Sequence, residues 1–167
     1  MMVFVGIDPG VSGAVAFLDQ DGDLIEVLDM PTMLMSATSK KQQVNAYELS
    51  KLFDVGIDYS GTVPEITAYV ERVSSMPGQG VASMFNFGVS FGIIQGVLAG
   101  LSIPMQLVTP VKWKRHHGLQ GADKDYARTK AQNLYPVAPL GRKKDIGRAD
   151  ALLIARYGFE DINNRGG

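Results

Sequence analysis

Residues 2–8, MVFVGID, set Val3, Val5 and Ile7 on one side and Phe4, Gly6 and Asp8 on the other, a two-residue period that predicts a short strand. Asp8-Pro9-Gly10 turns the chain. Gly13 to Leu18 predicts a second strand, and Asp19-Gln20-Asp21-Gly22 a hairpin into a third from Asp23 to Leu28. Three successive strands joined by tight turns predict an antiparallel meander. Residues 31–43 read as a mobile polar loop. Val44 to Phe53 reads as a helix, with Val44, Tyr47, Leu49, Leu52 and Phe53 at near-helical spacing. Ile66 to Val73 reads as a buried strand that carries Glu71 and Arg72 at its end.

From Val73 to Val111 no residue is charged, and 81–103 is long enough to span a bilayer. Gly88, Gly92, Gly96 and Gly100 recur every fourth residue, the small-residue stripe of closely packed helices. Asn86, Gln95 and the serines interrupt the run, and a membrane span there would split the sheet. The run therefore predicts a central helix buried against the sheet, with its glycine stripe free for a second subunit. Phe85, Phe87 and Phe91 are expected in the core. Met105 to Val108 predicts a fifth strand, stopped by Thr109-Pro110. Basic helical pieces follow near 110–117 and 123–135, the second with Tyr126, Ala127, Ala131, Leu134 and Tyr135 inward and Lys124 and Arg128 outward. A last helix begins near Arg148, with Leu152, Leu153 and Tyr157 as its stripe. The order βββ-α-β-α-β-α-α-α predicts an α/β fold, a mixed five-stranded sheet flanked by helices.

The chain has 167 residues, which fits one domain; residues 1–160 are read as that domain and 161–167 as a short C-terminal tail. Cysteine is absent and the two histidines are adjacent, which excludes thiolate chemistry, cysteine-ligated zinc and iron–sulfur clusters, and leaves carboxylates as the available chemistry. No basic stretch precedes the apolar start, so no signal peptide is read there and the expected location is cytoplasmic. The net charge of −1 is unevenly spread: residues 111–148 hold ten Lys/Arg against three Asp, +7, which leaves −8 for the rest. Such segregation predicts either a face for a polyanion or a solvated basic surface.

Asp8 and Glu71 each end an apolar strand, and Asp150 opens the last helix. Singly each has a structural reading: a turn former, a salt bridge to Arg72, an acid favoured by a helix dipole. Jointly, two strand ends and a helix start can converge, and three hard carboxylates suit Mg²⁺ together with phosphate oxygens. Two such ions activate water and stabilise a leaving oxygen of a phosphodiester.

GIDPGVSGAVAF, AYVERV, MPGQGVASMFNFGVSFGIIQGVLAG, TPVKWKRHHGLQGADKDYARTKAQ and GRADALLIARYG resemble, in order, the RuvC-type Holliday junction resolvases, in particular the shorter relatives common in bacteriophages. The likeness runs from about Met2 to Gly158. It implies a ribonuclease-H-like fold, a homodimer, and cleavage of four-way DNA junctions with two Mg²⁺ or Mn²⁺ ions per site, leaving a 5′-phosphate, with no nucleotide cofactor and no membrane. By the same resemblance Asp8, Glu71 and Asp150 fall on the catalytic acids, and Lys112 and Lys124 near lysines that contact DNA or support catalysis. The expected DNA-contacting set is Lys112, Lys114, Arg115, Lys124, Arg128 and Arg148, the last open between a phosphate and an acid of the site, with Met76 and Gln79 on a loop that either probes the junction centre, as the resemblance implies, or is plain surface.

The bacterial family's fourth acid falls on Gly147 here. Asp145, five residues before Asp150, is the expected substitute ligand; the plainer reading is that it offsets Arg142, Lys143 and Lys144. Trp113 is open between base stacking and burial, and His116-His117 between a phosphate contact and a helix cap. Rival functions are a same-fold nuclease for RNA–DNA hybrids, forks or flaps, a junction-binding protein without cleavage, and an actin-like ATPase or sugar kinase, for which 167 residues supply one subdomain of the two required.

Overall fold

The computed structural model describes residues 1–167 except 55–62, 73, 75–77, 79 and 166–167. The meander is present as β1 (Met2–Asp8), β2 (Ala14–Leu18) and β3 (Leu24–Asp29). Then come β6 (Glu65–Glu71) and β7 (Met105–Val108), which complete a five-stranded sheet of order β3-β2-β1-β6-β7. The meander pairs are antiparallel, whereas β1/β6 and β6/β7 are parallel. The mixed sheet expected from the order of elements is therefore the one formed.

Residues 31–43 depart from the expected loop. They form a small hairpin of β4 (Thr32–Leu34) and β5 (Gln42–Val44), whose three-residue strands are too short to show an apolar period. The first helix, α1 (Ala46–Lys51), is capped by the Asn45 side chain, which accepts from the Glu48 amide, so it starts two residues later than the apolar spacing suggests.

The alternation along β1 sorts the core into two layers. Val3, Val5 and Ile7, with Val15, Phe17, Ala68 and Val70, pack beneath α1 and α2 (Val81–Gly100). Phe4, with Ala14, Ala16, Leu18 and Tyr69, packs beneath α3 (Pro110–His116), α4 (Lys124–Leu134) and α5 (Ile146–Arg165). Asp8 and Glu71 are two residues beyond Gly6 and Tyr69, so the pleat turns both toward the α5 layer.

α5 is the centre of that layer. Ala149 and Ala151 to Ala155 are all fully buried, so the helix is covered on most of its circumference rather than along one stripe. It reaches Arg165, which puts 161–165 in a helix instead of a tail. Its approach to the sheet depends on missing side chains. A Cβ on Gly6 would lie 2.1 Å from the Ala151 carbonyl oxygen, and one on Gly147 would lie 2.5 Å from the Ser12 carbonyl oxygen.

α2 is less buried than expected: only Ser90, Ile94 and Leu98 are buried, spaced four apart on one narrow line. Phe91 packs partly against the core, Phe87 is half-buried, and Phe85, on a face turned away from the sheet, is 69% exposed. By length and composition α2 could cross a membrane, as many soluble helices could. In α4 the inward line is Ala127, Ala131 and Tyr135, again four apart; Tyr126 and Leu134 sit beside it and are exposed. Arg128, expected outward, curls back to donate to the Leu140 carbonyl at 2.9 Å.

Candidate metal centre and nucleic-acid surface

Parallel pairing brings the first two acids together. β1 and β6 run in register through Gly6–Tyr69 and Ile7–Val70, and one step further Asp8 stands beside Glu71. The third arrives on α5. Ala151 and Ala155 lie against Gly6, and the residue before Ala151, Asp150, is close enough for its charge to act on Asp8.

The electrostatics show that the three share one environment. Burial, then the charges of Asp150 and Glu71, push the Asp8 carboxyl well above the usual carboxylate range. Burial and the Glu71 charge raise Asp150 to about 6. Burial also raises Glu71, against the pull of a hydrogen bond from Trp113 and the charge of Lys114. None of the three is in an ion pair among the described residues; the positive charges acting on Asp8 and Asp150 are Lys114 and Lys124. Three hard oxygen donors, mutually repelling and partly desolvated, form a donor set suited to divalent cations with oxygen preference.

α3 supplies two of the neighbours. Thr109 caps it, accepting from the Lys112 amide, and Pro110 opens it, so the helix starts directly after β7, the strand beside Glu71. Trp113 is fully buried, and its indole N–H donates to Glu71 Oε2 at 2.6 Å. Of its two open readings the structure selects burial, and adds a bond to a site acid that sequence reasoning did not anticipate. The available signal was position: a tryptophan one helical turn after the strand that pairs with Glu71's strand.

The remaining candidates divide. Lys114 and Lys124 face the acids, while Lys112 and Arg115 line a separate groove with Thr109, Val111, His116, Tyr157 and Asp161. Arg148 is engaged by Asp29 through Nε–Oδ1 at 2.6 Å and a terminal nitrogen–Oδ2 at 2.9 Å, with a further bond to the Pro139 carbonyl. Arg128 is likewise turned inward. Asp145 is turned to Arg142: it is 2% exposed, and both its oxygens accept from Arg142, one of them from the backbone amide at 2.8 Å. That short-range box closes the 3₁₀ turn of Lys143–Asp145 ahead of α5. Met76 and Gln79 lie outside the described residues. Neither histidine faces the acids: His117 is buried against the Leu153 carbonyl, and His116 meets Glu160.

No family model matches the chain. Over 101 residues, 59% of the chain, it is 36% identical to the chloroplastic Holliday junction resolvase MOC1 of Chlamydomonas reinhardtii, and the match spans 12% of that protein's length. Among solved structures it is similar to RuvC of Thermus thermophilus, with a TM-score of 0.62, 19% identity, and coverage of 98% of this chain and 97% of that one. The same protein in complex with a Holliday junction substrate gives a TM-score of 0.60 at 19% identity, covering 100% and 97%. The chain therefore has the ribonuclease-H-like fold of RuvC, as its motifs led one to expect.

Proposed function

We propose that the protein is a structure-selective endonuclease that cleaves four-way DNA junctions by metal-assisted phosphodiester hydrolysis, acting as a homodimer. The observation that carries this reading is the convergence of Asp8, Glu71 and Asp150, with raised carboxyl pKa values and no ion-pair partner among the described residues. Support comes from the 36% identity to a resolvase and from the shared fold.

Asp8, Glu71 and Asp150 would hold two Mg²⁺ or Mn²⁺ ions. Bound there, such ions supply a nucleophile at neutral pH and neutralise charge on the phosphoryl group. The chain's own groups do the rest. Trp113 fixes the rotamer of Glu71 through its indole N–H. Lys114 and Lys124 place positive charge beside the acids, where the DNA backbone must enter. Lys112 and Arg115 add positive charge elsewhere on α3, in the groove they share with His116 and Tyr157. Asp145, expected as a fourth ligand, serves instead to hold Arg142 and the start of α5.

Dimerisation is supported by the glycine stripe of α2. Gly88, Gly92, Gly96 and Gly100 are exposed, and a Cβ on any of them would meet nothing within 4 Å. A partner helix could approach that face closely. Two sites related by a two-fold axis would address opposed strands of a four-way junction. The enzyme would be a soluble protein of the cytoplasm.

The deciding experiment sets a labelled immobile four-way junction beside duplex, flap and RNA–DNA hybrid, with Mg²⁺ or EDTA, for wild type and Asp8→Asn. Paired nicks on the junction alone, lost in Asp8→Asn while binding persists, are expected. Binding without cutting in any metal would leave a junction-binding protein. Equal cutting of flaps or hybrids would keep the nuclease and discard the junction.

A further inference from the structure

One turn beyond Trp113, at the C-terminal end of α3, the paired histidines meet α5. His116 Nε2 lies 2.5 Å from Glu160 Oε2, and the His116 and His117 rings stand perpendicular with centroids 5.0 Å apart. His116, His117 and Glu160 each offer a ligand atom, and these atoms all lie within 4.8 Å of one another.

Each member is already oriented by a further group. His117 is buried, and its Nε2 is 2.7 Å from the Leu153 carbonyl oxygen. A carbonyl only accepts, so Nε2 carries the proton and Nδ1 keeps the lone pair, the tautomer arrangement typical of a metal-ligating imidazole. Arg156 Nε donates to Glu160 Oε1, which leaves Oε2 as the oxygen turned to the histidines. A ligating carboxylate is commonly held through its second oxygen in this way.

We propose that His116, His117 and Glu160 form a second cation site, one that takes a borderline divalent metal of the zinc type rather than magnesium. Two imidazoles and one carboxylate are a three-ligand set for zinc, with water in the remaining position, whereas magnesium disfavours nitrogen donors. Two ligands end α3 and the third is on α5, so a bound ion staples α3 to α5. α3 also carries Trp113 and Lys114, so the staple would steady the helix that holds Glu71. The binding inference stands apart from the proposed nuclease activity, because its test reads metal binding alone.

The test titrates Zn²⁺ against a chromophoric chelator in the presence of excess Mg²⁺, which occupies the oxygen-donor site. Wild type is compared with His116→Ala, Glu160→Gln and, as a control at the other site, Asp8→Asn; circular dichroism checks each fold. One equivalent of Zn²⁺ is expected for wild type and Asp8→Asn, with affinity at least tenfold weaker in His116→Ala and Glu160→Gln (order of magnitude from loss of a metal-site group). Zn²⁺ binding unchanged in both variants, or none in wild type, would overturn the site and leave His116–Glu160 as an ion pair. Should a variant fail to fold, Co²⁺ added to wild type decides: intense visible bands of a low-coordinate nitrogen–oxygen site are expected, and the pale spectrum of the hydrated ion would refute it.

Discussion

The Trp113 indole N–H donates to Glu71 Oε2 at 2.6 Å, joining the first helix after β7 to the acid at the end of β6. A buried ring thus positions a carboxylate that would otherwise be free to rotate. Trp113→Phe keeps most of the apolar volume and removes the donor. It should fold and should raise the Mg²⁺ concentration needed for cleavage roughly 10–100-fold, the usual cost of losing a group that orients a metal ligand. A Mg²⁺ titration of junction cleavage, with circular dichroism as control, checks this.

The raised acids make a stability prediction with a definite sign. The Asp150 carboxyl is lifted to about 6 in the folded protein, against about 3.9 in an unfolded chain. The folded state therefore holds its proton more tightly, and stability is lost as pH rises through that window. Above pH 6 the metal-free protein carries the whole penalty. Asp150→Asn should abolish cleavage yet raise the melting temperature in EDTA at pH 8 by on the order of 5 °C, and the gain should vanish toward pH 4. With saturating Mg²⁺ the order should reverse, since only wild type gains from the ion.

Asp145 behaves oppositely. The Arg142 hydrogen bonds hold its carboxyl below the usual range, so its stabilisation is complete above an ordinary carboxylate pKa and disappears as the pH falls through its own lower value. Asp145→Asn should lower stability at neutral pH, with the difference closing in acid, and leave the Mg²⁺ dependence of cleavage unchanged. A shifted Mg²⁺ requirement would return Asp145 to the list of ligands.

Gly6→Ala tests the seam that sets Asp150. The added methyl meets the Ala151 carbonyl oxygen at 2.1 Å, backbone that cannot swing aside, so α5 must move. The expected cost is about 2–3 kcal/mol or more, read by urea denaturation, together with loss of cleavage.

Gly92→Leu tests the dimer. Nothing within 4 Å opposes a side chain there in the monomer, so the fold should be untouched. In sedimentation velocity the wild type should run as a dimer and the variant as a monomer, with paired nicks replaced by single ones.

Much of this arrangement was legible in the residues because period and topology share a cause. The alternation of β1 assigns Asp8 to the face of Phe4 and Gly6, and that face proves to be the one α5 covers. Contacts made across long sequence separations were not legible. Arg148 is spoken for by Asp29, 119 residues away, and Trp113 by Glu71, 42 residues away. Local charge patterns place both basic and aromatic side chains on the surface or in the core without naming a partner. The apolar run of 81–103 misled for a different reason: an absence of charge was read as burial, while only one line of α2 reaches the core. The short β4–β5 hairpin, with three residues in each strand, leaves no period to detect.

Where α5 crosses Gly6 of β1 the contact is made of glycine and alanine backbones, Gly6 lying under Ala151 and Ala155, and Gly147 of the same helix meets the Ser12 carbonyl. A seam without side chains offers nothing to repack, so almost any substitution in it displaces an acid as well as a helix. Adaptation of such a protein to new substrates is thereby channelled away from its centre. The freedom to diverge lies with α2, the β4–β5 hairpin and the lysines of α3 and α4, which can change what is gripped while the acids stay where they are.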